Sequence, residues 1–173
     1  MTSSVSDLAC LRSANAILRI DVQTPMRFQA LMEAFEKELG HWDATLGAEL
    51  VEGQAQWDLA RESISAMAGE QGLMIFAKIN QGEIASLAGT PRFCTIYLVG
   101  NAVIATEILK VDIRAGMLVP FRVQLYEKDG SGYISYDLPS SFLASLGKTD
   151  LVAIGRSLDE KIASVARRLS CGA

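Results

Sequence analysis

The chain has 173 residues, half of them hydrophobic and 21% charged, and its formal net charge is −4. This length fits a single domain with one sizeable hydrophobic core. The basic residues are scattered, which argues against a nucleic-acid-binding surface. Apolar runs stay well short of the roughly 20 residues of a membrane span, so no membrane partner is expected.

The cysteines and the N-terminus predict a cytoplasmic protein. Cys10, Cys94 and Cys171 cannot all pair, and none lies in a CxxC motif, which is typical of reduced thiols. The first residues carry neither the basic nor the apolar region of a secretory signal. Cys94 lies in the most apolar predicted strand, where a buried thiol has a packing role.

The first half of the chain predicts two strand-helix units after a small, polar tail or short helix at residues 1–14. Residues 16–22 alternate as in a strand, and Thr24 before Pro25 predicts the N-cap of a helix. That helix should end at Gly40. Its apolar residues recur at helical spacing: Phe28, Leu31, Met32, Phe35 and Leu39. A second strand at residues 48–51 and a helix at residues 57–67 suggest an internal duplication.

The second half predicts a strand at residues 72–79, a short helix at 83–87 and a strand at 93–99. The last is apolar almost throughout, as expected of a strand covered on both faces. A turn at Gly100 and Asn101 leads into a helix. Alternation over residues 119–125, a turn at 128–132 and a return over 133–136 predict a hairpin.

The chain should close with two helices. The first is a short helix at residues 140–146. Ser157 and Glu160 have the spacing of a capping box, which predicts the start of the last helix. Because the hairpin is antiparallel and strands and helices interleave without strict alternation, the predicted class is α+β with a mixed sheet.

Several motifs are dispersed along the second half of the chain: Gly100-Asn101, Thr106, Pro120 before alternating apolar residues, and the stretches YEKDG (126–130) and YISY (133–136). Together they resemble the DUF302 family, a small α+β domain of unknown function. The resemblance implies a DUF302-like domain over residues 47–173, with its first strand near residues 48–51. Residues 1–46 would be an N-terminal extension of tail plus strand-helix unit. The apolar face of that extension should be buried at a sheet edge or against a partner subunit.

The chain also departs from the family pattern. DUF302-like sequences commonly carry an Asp-His pair where this chain has Asn80 and Gln81. They commonly have proline at the position of Ala102, and an acidic residue at that of Leu118. Neutral amide and alkyl groups cannot do acid–base chemistry near neutral pH. If the family has a site based on His and Asp, the resemblance implies that this member has lost its ionisable groups.

Two places could carry chemistry. His41, the only histidine, could ligate haem or a metal or act as a base, but it follows a predicted helix end, where histidine commonly contacts free carbonyls. At the Gly100-Asn101 turn, backbone amides at a helix N-terminus could bind an anion. The alternative is a purely structural turn that requires glycine, with Asn101 as the N-cap.

Tyrosines on adjacent predicted strands are typical of a pocket wall or interface, and equally of a sheet face under a helix. The hypothetical ligand site therefore comprises these residues: Gly100, Asn101, Thr106, Tyr97, Tyr126 and Tyr136. The sequence identifies neither a catalytic residue nor a cofactor. We interpret the chain as a non-catalytic module for assembly or for binding a small molecule or anion, and as a homodimer. The alternatives are an enzyme or cofactor-dependent protein using a pocket at the turn, or haem or metal binding through His41.

Overall fold

The protein folds around one six-stranded mixed sheet, which confirms the predicted α+β class. The computed structural model describes residues 15–171. The strand order is β1-β6-β5-β4-β3-β2, and every neighbouring pair is antiparallel except β2 with β3. The strands are β1 (Arg19–Gln23), β2 (Gly40–His41), β3 (Met74–Ile79), β4 (Cys94–Gly100), β5 (Phe121–Lys128) and β6 (Ser131–Asp137).

Within the described residues the helices are α1 (Phe28–Glu38), α2 (Ala44–Glu52), α3 (Trp57–Ala66), α4 (Gln81–Ser86), α5 (Ala102–Val111), α6 (Pro139–Leu143) and α7 (Thr149–Ser170). Short 3-10 turns follow α5 and α6, at Ile113–Met117 and Ala144–Leu146. No helix in this part of the chain is both long and apolar enough to cross a membrane.

The core lies between one face of the sheet and the helices α1 and α7. Tyr97, Val123 and Tyr136 are neighbours across β4, β5 and β6, and all three are buried. The long helix α7 adds a stripe of buried residues at helical spacing. These are Leu151, Leu158, Ile162, Val165 and Leu169.

The strand β4 is covered on one face only, so the prediction of coverage on both faces is wrong. Its burial alternates: Thr95, Tyr97 and Val99 are buried, whereas Ile96 and Leu98 stay partly exposed. Alternate side chains of a strand point to opposite faces of its sheet. The continuous apolar run therefore places partly exposed apolar residues on the face away from the core.

The predicted N-terminal extension is built into the same sheet. β1 is an edge strand paired with β6, and α1 contributes Leu31 and Phe35, both 0% exposed, to the core. β1 takes one of the predicted places, the sheet edge, whereas the apolar face of α1 packs over β5 and β6 and against α7. The division of the chain at residue 46 remains a prediction of where the DUF302-like part begins.

The predicted strand at residues 48–51 is wrong, because these residues belong to α2. The Asp43 carboxylate begins that helix by accepting hydrogen bonds from the amides of Thr45 at 2.9 Å and Leu46 at 3.1 Å. A side-chain acceptor at this position satisfies amides that have no partner within the helix. The idea of two repeated strand-helix units is therefore also wrong.

Two predicted helix starts are misplaced. α1 begins at Phe28, and the Thr24 hydroxyl instead donates to the Gly132 carbonyl at 3.0 Å, tying the end of β1 to β6. α7 begins at Thr149, so Ser157 lies in its interior and opens no helix. Serine and glutamate three residues apart share a helix face as readily as they form a cap.

Candidate functional site

The turn between β4 and α5 is held by Asn101, and its role as N-cap is confirmed. Its side-chain oxygen accepts from the amides of Val103 at 2.8 Å and Ile104 at 3.1 Å. Its side-chain nitrogen donates to the Gly72 carbonyl at 2.9 Å, which joins the turn to the start of β3. Two of the helix N-terminal amides that could have bound an anion, those of Val103 and Ile104, are thus already satisfied within the chain.

Glycine at position 100 is not required by its backbone conformation. The described residues with positive φ include other glycines but not Gly100. A Cβ there would lie 3.4 Å from the Pro120 Cβ and 3.6 Å from a ring carbon of Phe76, which is ordinary van der Waals contact. Gly100 instead forms part of the wall of an adjoining space.

That space belongs to a small cavity beneath the turn, which we call the turn cavity. Its volume is about 150 Å³. Thr106 faces it, with its hydroxyl donating to the Ala102 carbonyl at 3.0 Å. The remaining surface is almost entirely apolar. The lining residues are Phe76, Gly100, Asn101, Ala102, Ile104, Ala105, Thr106, Ile108, Leu109, Val119, Pro120, Phe121 and Leu158.

Gly100, Asn101 and Thr106 therefore meet at one cavity, but Tyr97 and Tyr136 do not reach it. Tyr97 is 0% exposed in the middle of β4, and its hydroxyl donates to the Glu36 carboxylate at 2.6 Å. Burial and that carboxylate raise the pKa of Tyr97 above its ordinary value. Tyr136 is 4% exposed on the same sheet face, and burial likewise raises its pKa.

Tyr126 lies on the opposite face, at the far end of the sheet. It pairs with Cys94, six residues from Gly100 along β4, a separation of about 20 Å in an extended strand. Its ring stacks on Tyr133 at 5.1 Å, and its hydroxyl donates to Asp21 at 3.3 Å. The expectation that the three tyrosines wall a pocket at the turn is thus wrong for the turn cavity.

The structure places His41 in the strand β2, paired with Ile75, and exposes it. α1 ends three residues earlier, at Glu38, and the contact of His41 with free helix carbonyls stays a prediction. Within residues 15–171, no group of three His, Cys, Asp or Glu residues could hold a metal ion. Cys94 is half-buried and Cys171 is exposed, whereas Cys10 lies outside the described residues.

Sequence reasoning missed a polar network at the rim of the core. The Glu36 carboxylate accepts from Tyr97 and also from the Lys78 ammonium, each at 2.6 Å. Burial opposes the charge on Glu36, but the hydrogen bonds from Lys78 and Tyr97 outweigh it and lower its pKa. Local patterns carry no signal for this link, because it joins residues more than 40 positions apart in the chain.

Comparison with known proteins gives a family and a fold. A model of the domain of unknown function DUF302 matches residues 51–169. The crystal structure of the uncharacterized conserved protein DUF302 from Bacillus stearothermophilus is similar, with a TM-score of 0.64 and 15% sequence identity. The match covers 89% of this chain and 99% of that chain, and at this identity it shows the fold alone. No curated protein matches the chain.

Proposed function

Given that the chain belongs to the DUF302 family, a domain of unknown function, we propose that it is a non-catalytic module that binds a small apolar ligand in the turn cavity. The character of that cavity supports the proposal. Among residues 15–171, none of those that line it is ionisable, and acid–base catalysis requires a group that can exchange a proton. Asn101 and Thr106 already use their polar atoms in hydrogen bonds within the chain.

The size of the cavity indicates the class of ligand. Protein interiors seldom leave voids larger than a water molecule. A volume of about 150 Å³ is that at which an apolar cavity takes up benzene. We therefore expect an aromatic ring or short alkyl group, contacting the bare backbone of Gly100 and the side chains of Asn101 and Thr106. An anion is disfavoured here because the Asn101 side chain already caps the amides of Val103 and Ile104.

Methyl NMR with benzene as the probe tests this function. Saturable shifts should appear for cavity methyls such as those of Ile104 and Leu109. Ala105→Leu should abolish the shifts, since the added side chain occupies the cavity. Ala153→Leu, an exposed change on α7, is the matched control and should leave them intact. Unsaturated or scattered shifts up to the solubility limit of benzene would exclude the turn cavity as a binding site.

We also propose a homodimer. Several large apolar side chains in the described residues are exposed, including Ile17 at 52%, Ile113 at 76% and Met117 at 94%. Ile17 and Met117 line one groove together with Leu98 from the partly exposed sheet face. Such clustered apolar surface is typical of protein contacts. A second copy of the chain covering this groove would bury it.

Sedimentation at tens of micromolar tests the dimer. The wild type should sediment as a dimer and Met117→Glu as a monomer. Leu87→Glu changes an equally exposed leucine on another surface, at 87% exposure, and should remain dimeric. A monomeric wild type would contradict the proposal.

We also propose a cytoplasmic location for the protein. The free thiols of Cys94 and Cys171 support it, because thiols stay reduced in the cytosol.

A further inference from the structure

A second and larger concavity lies at the opposite end of β4 from the turn cavity. It is a groove of about 890 Å³ beside Phe93, the residue that precedes β4, and we call it the basic groove. Sites for small organic molecules commonly measure 300–1,000 Å³. The side chains that matter here come from four parts of the fold, namely the start of α1, β3, α4 and the segment before β4: Arg27, Phe28, Lys78, Glu83, Arg92 and Phe93.

The basic groove gathers positive charge on an acidic protein. Three cations and two carboxylates line it, whereas the whole chain carries a net charge of −4. The Glu127 carboxylate accepts a hydrogen bond from the Phe28 amide at 3.1 Å, and Lys78 forms an ion pair with Glu36. Arg27 and Arg92 form no ion pair within residues 15–171.

Two available guanidinium groups suit a particular kind of ligand. Each offers a planar fork of N–H donors that matches the oxygens of a phosphate or carboxylate, and such charge-assisted hydrogen bonds are the strong ones. Arg27 is the N-cap residue of α1, and Arg92 lies two residues before the start of β4. Lys78 also lines the groove, but its charge is paired with that of Glu36.

An aromatic surface accompanies these charges. Phe93 is 55% exposed, and its ring centroid lies 5.8 Å from that of Phe28, which is 7% exposed. Phe28 thus anchors Phe93 to the core while leaving much of the Phe93 ring uncovered. An exposed ring fixed in this way can stack against a flat ligand.

From this juxtaposition we propose that the basic groove binds an organic anion consisting of an aromatic ring that carries a phosphate or carboxylate. The ring packs against Phe93, and the anionic group accepts hydrogen bonds from Arg27 and Arg92. The carboxylate of Glu83, which also lines the groove, repels the anionic group of the ligand. Within the described residues this site shares no lining residue with the turn cavity, so the experiments on the two sites test the two binding proposals independently.

Calorimetric titrations with four probes test the proposal: adenosine 5′-monophosphate, 1-naphthoate, adenosine and inorganic phosphate. At least one of the first two should bind saturably, and the preferred one identifies the anionic group. Adenosine and inorganic phosphate should each bind at least tenfold more weakly, since each lacks half of the recognised structure. Failure of both aromatic anions to bind would overturn the proposal, as would inorganic phosphate binding equally well.

Variants locate the binding. The double change Arg27→Gln with Arg92→Gln should weaken binding of the preferred probe by about 10- to 100-fold, as expected for lost charge-assisted hydrogen bonds. Glu83→Gln should strengthen it a few-fold by removing a like charge. The control Arg156→Gln, an exposed change on α7, should leave it unchanged. Unaltered affinity in the double variant would place the probe elsewhere and overturn the assignment.

Discussion

Replacing Asn101 by alanine should destabilise the protein through two separable losses. The first is the cap on α5, where the side-chain oxygen accepts from Val103 and Ile104, and loss of such a cap costs about 1 kcal/mol. The second is the bond to the Gly72 carbonyl, also worth about 1 kcal/mol. The sum of about 2 kcal/mol corresponds to a fall in melting temperature of about 4 to 8 °C for a chain of this size.

Asn101→Asp separates the two losses, because aspartate keeps the cap acceptor but cannot donate to Gly72. Urea unfolding should show Asn101→Asp losing about half as much free energy as Asn101→Ala. Equal losses in both variants would mean that the cap contributes nothing. A loss below about 0.5 kcal/mol for Asn101→Ala, the range of ordinary surface changes, would refute the structural role assigned to this side chain.

Three further predictions concern the core and its charged rim. Leu31→Ala should lower the free energy of unfolding by about 3 to 5 kcal/mol, since Leu31 is 0% exposed, whereas the exposed Leu87→Ala should change it by less than about 0.5 kcal/mol. Burial tends to raise the pKa of Glu36, but hydrogen bonds from Lys78 and Tyr97 outweigh burial and lower it. The stabilisation by Glu36 is therefore present above the unfolded pKa of about 4.3 and is lost as pH falls through the folded pKa. Urea titrations should therefore show Glu36→Gln costing up to about 1 kcal/mol at neutral pH and nothing in strong acid; an equal cost at both would contradict this. Burial and Glu36 raise the pKa of Tyr97, so its stabilisation is present below the unfolded pKa of about 10 and is lost above it. Tyr97→Phe should flatten that alkaline loss without altering the tyrosinate absorbance of the folded protein, and a reduced absorbance would show that Tyr97 ionises in place.

Local sequence patterns predict the second half of the fold well. The hairpin of β5 and β6 and the capped turn at Asn101 each depend on neighbours a few residues apart, which alternation and capping rules describe. Local patterns do not identify α2, because three apolar residues among positions 48–51 fit a short strand, while the deciding cap lies upstream at Asp43. The spacing of Ser157 and Glu160 does not identify a helix start, because the same spacing also occurs inside helices, as it does in α7.

The candidate site was predictable only where it is local. Gly100, Asn101 and Thr106 lie within seven residues of one another and meet at the turn cavity. The tyrosines lie on long strands. Alternation along a strand predicts which face of the sheet a side chain lies on, but it does not predict how close that side chain lies to the turn at Gly100. Tyr97 lies under α1, and its link to Glu36 depends on how that helix crosses the sheet, which residue spacing does not determine.

The pairing of β1 with β6 has a consequence for biosynthesis. Arg19 meets Asp137 across the sheet, 118 positions further along the chain. At 5–20 residues per second, a ribosome needs roughly 6 to 24 s to synthesise the intervening segment. The first strand to leave the exit tunnel is therefore among the last to find its partner, and α1 cannot be sealed into the core before then. Until that moment the nascent chain displays an unpaired strand and an apolar helix, the kind of surface that chaperones recognise.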